Sequence, residues 1–125
     1  MLRALRERGS IAVVDDDESV RAAIQGVIRS VGLTPVSFAS AEEFLASDVV
    51  HDAACVITDL MMPGMNGLEL QQRLNENGAV PVILVSAHGD DRVRERAMKA
   101  GAVGFLDKPF NDDALIELVR SALTK

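Results

Sequence analysis

Five polar residues of this chain share one placement, each at or just beyond the end of a short aliphatic run. Asp15 and Asp16 follow Ile11-Ala12-Val13-Val14, Asp59 follows Ala54-Cys55-Val56-Ile57-Thr58, Ser86 follows Val82–Val85, and Lys108 comes shortly after Val103–Leu106. If those runs are parallel strands of one sheet, the five side chains converge on one edge of it. Carboxylates brought together repel, and they stay ionised only when a cation or a positive side chain neutralises them. An all-oxygen donor set selects Mg2+ or Mn2+ over zinc, and Mg2+ keeps waters and leaves room for phosphate oxygens. The cluster therefore suits phosphoryl transfer. A carboxylate attacking phosphorus forms an acyl phosphate, through a transition state that depends on positive charge and positioning more than on a general base. Asp59 is the candidate nucleophile. Mg2+ and Lys108 would supply positive charge, and the Ser86 hydroxyl a hydrogen bond to a phosphoryl oxygen. Backbone N–H groups over residues 60–62 and near Ala87 can add donors. A single Asp at a strand end is commonly only a helix cap, and Asp17 fits that role by itself.

The elements that must position these residues are legible as an alternation of strand and helix signals. Ile11–Val14 is continuously apolar, as expected of a strand covered on both faces. Val20, Ala23, Ile24, Val27, Ile28 and Val31 follow the spacing of an amphipathic helix, which Gly32 stops. Thr34–Phe38 reads as the second strand. Ser40-Ala41-Glu42-Glu43 reads as a capping box opening a short helix anchored by Phe44 and Leu45. After the third strand, Ala54–Thr58, the stretch from Leu60 to Gly67 holds Pro63, Gly64 and Gly67 and reads as a loop. Leu68–Asn77 is predicted helical, Val82–Val85 a strand, Asp90–Ala100 a charged helix stopped by Gly101, and Val103–Leu106 the fifth strand. Asn111 caps a last helix with Leu115, Leu118, Val119 and Ala122 on one face. Five strands alternating with five helices predict a doubly wound α/β domain with a parallel sheet, whose ligands bind beyond the carboxyl ends of the strands.

Composition narrows the function classes. A chain of 125 residues with 48% hydrophobic and 26% charged residues fits one soluble domain. We divide it into a basic extension over residues 1–9, with Arg3, Arg6 and Arg8, and a domain over residues 10–125. One cysteine excludes an internal disulfide framework and suits a reducing, cytoplasmic setting. A net charge of −6 with no Trp or Tyr predicts no nucleic-acid binding by this domain. No run approaches the ~20 apolar residues of a membrane helix, and no signal-peptide pattern follows the N-terminal arginines.

The ordered set Val13-Val14-Asp15-Asp16-Asp17, Thr58-Asp59-Leu60-Met61-Met62-Pro63-Gly64-Met65-Asn66-Gly67, Ser86-Ala87 and Lys108-Pro109-Phe110 resembles the receiver domain of two-component response regulators. The likeness covers about residues 10–124. The segments His88-Gly89-Asp90-Asp91 and Ala97-Met98-Lys99-Ala100-Gly101-Ala102 look most like the FixJ-type branch. The resemblance implies a flavodoxin-like (βα)5 fold with strand order 2-1-3-4-5. It implies that Asp59 accepts a phosphoryl group from a phosphohistidine of a sensor histidine kinase. It also implies that Asp16, Asp59 and the Met61 carbonyl bind Mg2+ directly, with Asp15 reaching it through water. Lys108 would pair with the phosphoryl group, its bond to Pro109 being typically cis. Ser86 and Phe105 match the family's hydroxyl and aromatic switch positions, the ring turning inward on phosphorylation. Met61 and His88 occupy positions that tune how fast water attacks the phosphoryl group. The charged helix, fifth strand and last helix would form the face that phosphorylation adjusts, with homodimers forming through the charged helix and fifth strand. The usual output is transcription, through a DNA-binding domain outside this chain.

Three other functions compete. A stand-alone receiver could act as a protein-binding adaptor. An aspartate-nucleophile phosphatase would need a second Asp two residues after the nucleophile, where this chain has Met61. A nucleotide-binding module would need a Gly-rich phosphate loop, and neither GxGxxG nor GxxxxGK[ST] occurs.

Overall fold

A computed structural model describes residues 9–76, 78, 80–87 and 91–124. The basic extension other than Gly9, and His88, lie outside the described residues. Five strands form one sheet: β1 (Ile11–Val14), β2 (Pro35–Phe38), β3 (Cys55–Asp59), β4 (Val82–Ser86) and β5 (Gly104–Asp107). All are parallel, in the order β2-β1-β3-β4-β5. The helices are α1 (Glu18–Ser30), α2 (Ala41–Leu45), α3 (Gly67–Glu76), α4 (Asp91–Lys99) and α5 (Asp112–Leu123). This is the doubly wound fold and strand order expected. Among the described residues no helix is long and apolar enough to cross a membrane.

The continuous apolar runs are explained by a core on each face of the sheet. Ala12, Val14, Val56, Leu84 and Phe105 pack with Phe44 of α2 and Leu70 and Leu74 of α3. Ile11, Val13, Cys55, Ile57 and Val85 pack with Ile24 and Ile28 of α1 and Leu115 and Val119 of α5. Each large side chain fully buried this way stabilises the fold by about 1.5–3 kcal/mol. The α1 stripe is narrower than its spacing predicted, because Ala23 faces solvent while Ile24, Val27 and Ile28 are buried.

Both predicted glycine stops are made. Gly32 and Gly101 have φ of +81° and +99°. In each, the glycine N–H and the next N–H turn back onto the last helical turn: Gly32 to Arg29 and Leu33 to Ile28, Gly101 to Met98 and Ala102 to Ala97. Asn111 caps α5 as predicted, accepting from the N–H groups of Asp113 and Ala114. One boundary moves: α3 begins at Gly67 rather than Leu68, since the Asn66 side chain accepts from the Glu69 N–H while Glu69 accepts from the Asn66 N–H. A Cβ at position 67 would lie 2.6 Å from the Asp59 carbonyl oxygen, so only glycine fits there. A 3-10 turn over Asp48–His51, which no spacing in the sequence announces, completes the chain between α2 and β3.

Candidate functional site

Strand register brings the candidate residues together. Val14 pairs with Thr58, so Asp15 and Asp59 emerge side by side, while Asp59 pairs with Val85 and Ser86 with Asp107 on the neighbouring strands. Carboxylate oxygens of Asp15, Asp16 and Asp59 all lie within 4.8 Å of one another. The Lys108 ammonium reaches in from beyond β5, 3.0 Å from Asp15 Oδ2 and 3.5 Å from Asp59 Oδ1. Its own N–H donates to the Ser86 carbonyl at 2.8 Å, tying the ends of β4 and β5 together. The Lys108-Pro109 peptide bond is cis, as the resemblance implied.

The three carboxylates are not equivalent. Asp15 is 1% exposed, and both of its oxygens are engaged: Oδ1 accepts from the Asp17 N–H at 2.9 Å and Oδ2 from Lys108. Asp16 is exposed, and Asp59 is buried at the floor of the cluster. Asp17 stands outside the cluster as the cap of α1, accepting from the N–H groups of Ser19 and Val20 and from the Ser19 hydroxyl.

Burial, and then the Asp15 charge, push the Asp59 carboxyl above the ordinary range, against the pull of Lys108 and the Met61 N–H. For Lys108, burial opposes its charge, but the bonds and charges of Asp15 and Asp59 outweigh it and raise its pKa. One ammonium therefore serves three carboxylates, and the cluster retains an excess of negative charge. Oxygen donors alone, with a deficit of positive charge, fit a hard divalent cation such as Mg2+. Asp16 and Asp59 are the carboxylates freest to hold one.

The remaining predicted residues surround this centre. Ser86 is fully buried at the end of β4. Phe105 is 9% exposed, its ring packed in the core with the Arg94 guanidinium 4.7 Å from its centroid. Arg94 also pairs with Asp107 at 2.7 Å. Met61 is 67% exposed at the rim. Two residues that sequence reasoning missed help to shape the site. Arg21 donates to the Asp15 carbonyl at 2.6 Å, and Glu42 accepts from the Met65 N–H at 2.9 Å. Neither has a sequence signal, because both bond backbone atoms outside their own helices. The Asn66/Glu69 pair did have one, the Asn-x-x-Glu form of a capping box.

Comparison with known proteins bears on the same residues. Residues 11–120 match the response regulator receiver domain family. Transcriptional regulatory protein FixJ of Azorhizobium caulinodans is 44% identical over 114 residues, 90% of this chain and 54% of that protein. Response regulator protein TodT of Pseudomonas putida is 42% identical over 125 residues, 98% of this chain and 55% of that protein. The chain thus spans about half the length of the curated relatives it matches. Among solved structures, FixJ-N superposes with a TM-score of 0.82 at 37% identity, covering 93% of this chain and 94% of that one. A response regulator receiver protein from Burkholderia phymatum gives 0.79 at 47% identity, covering 93% and 95%.

Proposed function

The chain belongs to the response regulator receiver domain family, and from that premise we propose that Asp59 accepts a phosphoryl group from a phosphohistidine of a sensor histidine kinase. The observation that carries this reading is the strand-end cluster, with three carboxylates within 4.8 Å of one another and Lys108 set between Asp15 and Asp59. An Asp59 oxygen attacks phosphorus in line with the phosphohistidine P–N bond. The P–O bond forms, the P–N bond breaks, and the imidazole nitrogen keeps the electron pair and takes a proton from solvent. Lys108, already poised at Asp59, stays with the incoming charge and shifts its pairing toward a phosphoryl oxygen. The Ser86 hydroxyl and the N–H groups of the 60–62 segment donate to the remaining oxygens. Asp16, Asp59 and the Met61 carbonyl would hold Mg2+, with Asp15 acting through water; when bound, the ion supplies positive charge to the equatorial oxygens.

Receiver domains are phosphoacceptors rather than turnover enzymes, and the exposed Met61 fits that. It offers no general acid where an aspartate-nucleophile phosphatase needs one. Loss of the phosphoryl group is then self-dephosphorylation that the domain itself assists. The readout is a population shift of α4, β5 and α5, centred on Ser86 and Phe105, that promotes homodimers and controls transcription in the cytoplasm through a DNA-binding domain. Residues 10–125 form the receiver and residues 1–9 a basic extension. A phosphorylated adaptor without DNA output would use the same chemistry.

The test is intact mass after incubation with acetyl phosphate and Mg2+, followed by sedimentation. We expect wild type, but not Asp59→Asn, to gain one labile phosphoryl group and to self-associate. A protein that neither gains mass nor releases phosphate under these conditions would overturn the phosphoacceptor role. An unchanged monomer after phosphorylation would overturn the dimer.

A further inference from the structure

The loop between β3 and α3 carries Met61, and it is fastened at three places. Its neck is closed where the Gly67 N–H donates to the Leu60 carbonyl at 2.8 Å and the Leu60 N–H to the Val85 carbonyl at 2.8 Å. Its exit is fixed by the reciprocal Asn66 and Glu69 bonds, each 2.9 Å. Met62, 9% exposed, sinks into the core next to Met61. The tip is held from another element altogether. Glu42, in the first turn of α2, extends Oε2 to the Met65 N–H at 2.9 Å, across a sequence separation of 23 residues. Gly64 adopts φ +76°, and a Cβ there would come within 2.7 Å of the same Oε2. The carboxylate therefore sits directly on the bent tip, and that hydrogen bond keeps Glu42 below the usual carboxylate range.

The platform that presents Glu42 is itself rigid. Ser40 caps α2 by accepting from the Glu43 N–H, and Phe44, one turn along, is fully buried beneath the sheet. With neck, exit and tip all fixed, the peptide after Met61 has little freedom left. The Met61 N–H bonds Asp59, and the Met61 carbonyl keeps its direction only while the loop keeps its shape. We propose that Glu42 is a positioning residue for phosphoryl acceptance: by holding the loop tip against α2 it fixes the Met61 peptide beside Asp59, a role that rests on the phosphoacceptor reading above.

The experiment compares wild type, Glu42→Gln, Glu42→Ala and Gly64→Ala by Mn2+ binding, read by electron paramagnetic resonance, and by acetyl-phosphate labelling rate against Mg2+ concentration. Thermal melts without metal accompany both. Outer contacts that orient metal ligands are worth about 10–100-fold in affinity when they bond the ligand directly. For this less direct tether we expect Glu42→Ala to weaken Mn2+ binding and raise the half-saturating Mg2+ about three- to tenfold, with the maximal labelling rate changed less. Glu42→Gln, which can still accept from the Met65 N–H, should recover most of the loss. Gly64→Ala, whose Cβ would displace the Glu42 carboxylate and strain the left-handed tip, should shift both metal readings in the same direction as Glu42→Ala. Metal affinities of Glu42→Ala and Gly64→Ala equal to wild type would overturn the inference, whatever their melting temperatures. A wild type that binds Mn2+ normally but takes no phosphoryl group would instead overturn the phosphoacceptor reading.

Discussion

Asp59 is asked to be ionised in a place that disfavours its charge, and this has a measurable cost. Burial and the Asp15 charge raise its pKa above the ordinary 3.8. The folded chain therefore holds that proton more firmly than the unfolded chain does. Stability attributable to Asp59 then falls as pH rises from the ordinary value through the folded one, and the deficit is complete above it. Asp59→Asn removes the charge but keeps the shape. We expect it to be more stable than wild type in urea at pH 7 without divalent cation, with the gain shrinking toward nothing below pH 3.8. Equal denaturation midpoints at pH 7 would show that Lys108 fully compensates the cluster. The four charged residues of this centre were legible because strand ends in a parallel sheet share one edge. Their inequality was not: the sequence Asp15-Asp16-Asp17 offers three similar side chains, and only the turn separates a buried partner of Lys108, an exposed candidate ligand and a helix cap.

Elements were legible where local chemistry decides them and obscure where distant contacts do. Short apolar or β-branched runs located all five strands, and Gly32, Gly101 and Asn111 marked ends that the backbone bears out. The Asp48–His51 turn has no periodicity to announce it, and the attachment of α4 has none either. That helix buries only Ala97 and is otherwise dominated by Asp, Arg, Glu and Lys. Beside the Arg94 contacts with Asp107 and Phe105, it is fastened by two amides from α3: Gln71 Nε2 donates to the Ala97 carbonyl at 3.0 Å and Asn75 Nδ2 to the Ala100 carbonyl at 2.9 Å. Gln71 is 1% exposed, and among the described residues its Oε1 accepts from no donor. A helix with so little apolar burial should open locally before the sheet does. Replacing both amides, Gln71→Ala with Asn75→Ala, removes two hydrogen bonds worth about 1 kcal/mol each. We expect amide exchange over Asp91–Lys99 to quicken about tenfold or more, with β1, β3 and β4 changed less. Uniform acceleration across the chain would mean that α4 opens only with the whole domain.

At the scale of the molecule, the two cores share one sheet, so neither can be lost without exposing the other. Cys55 reports on that unit. It is the only cysteine of the chain, lies fully buried at the start of the central strand, and has its thiol pushed up to about 12 by burial. Only an opening that frees β3 from both neighbours would bring out a reactive thiolate. If that opening is global, its population must respond to a ligand bound at the far end of the same strand. A cation held at Asp59 at ten times its dissociation constant stabilises the folded state by RT ln 11, so thiol labelling should slow about elevenfold. Wild type labelled with a thiol reagent, with and without saturating Mg2+, should show that slowing, and Asp59→Asn little of it. A labelling rate indifferent to Mg2+ in wild type, with Mg2+ binding verified separately, would mean that Cys55 is reached by a local fraying of β3 near its start. The sheet would then not be the single cooperative body that its two shared cores require.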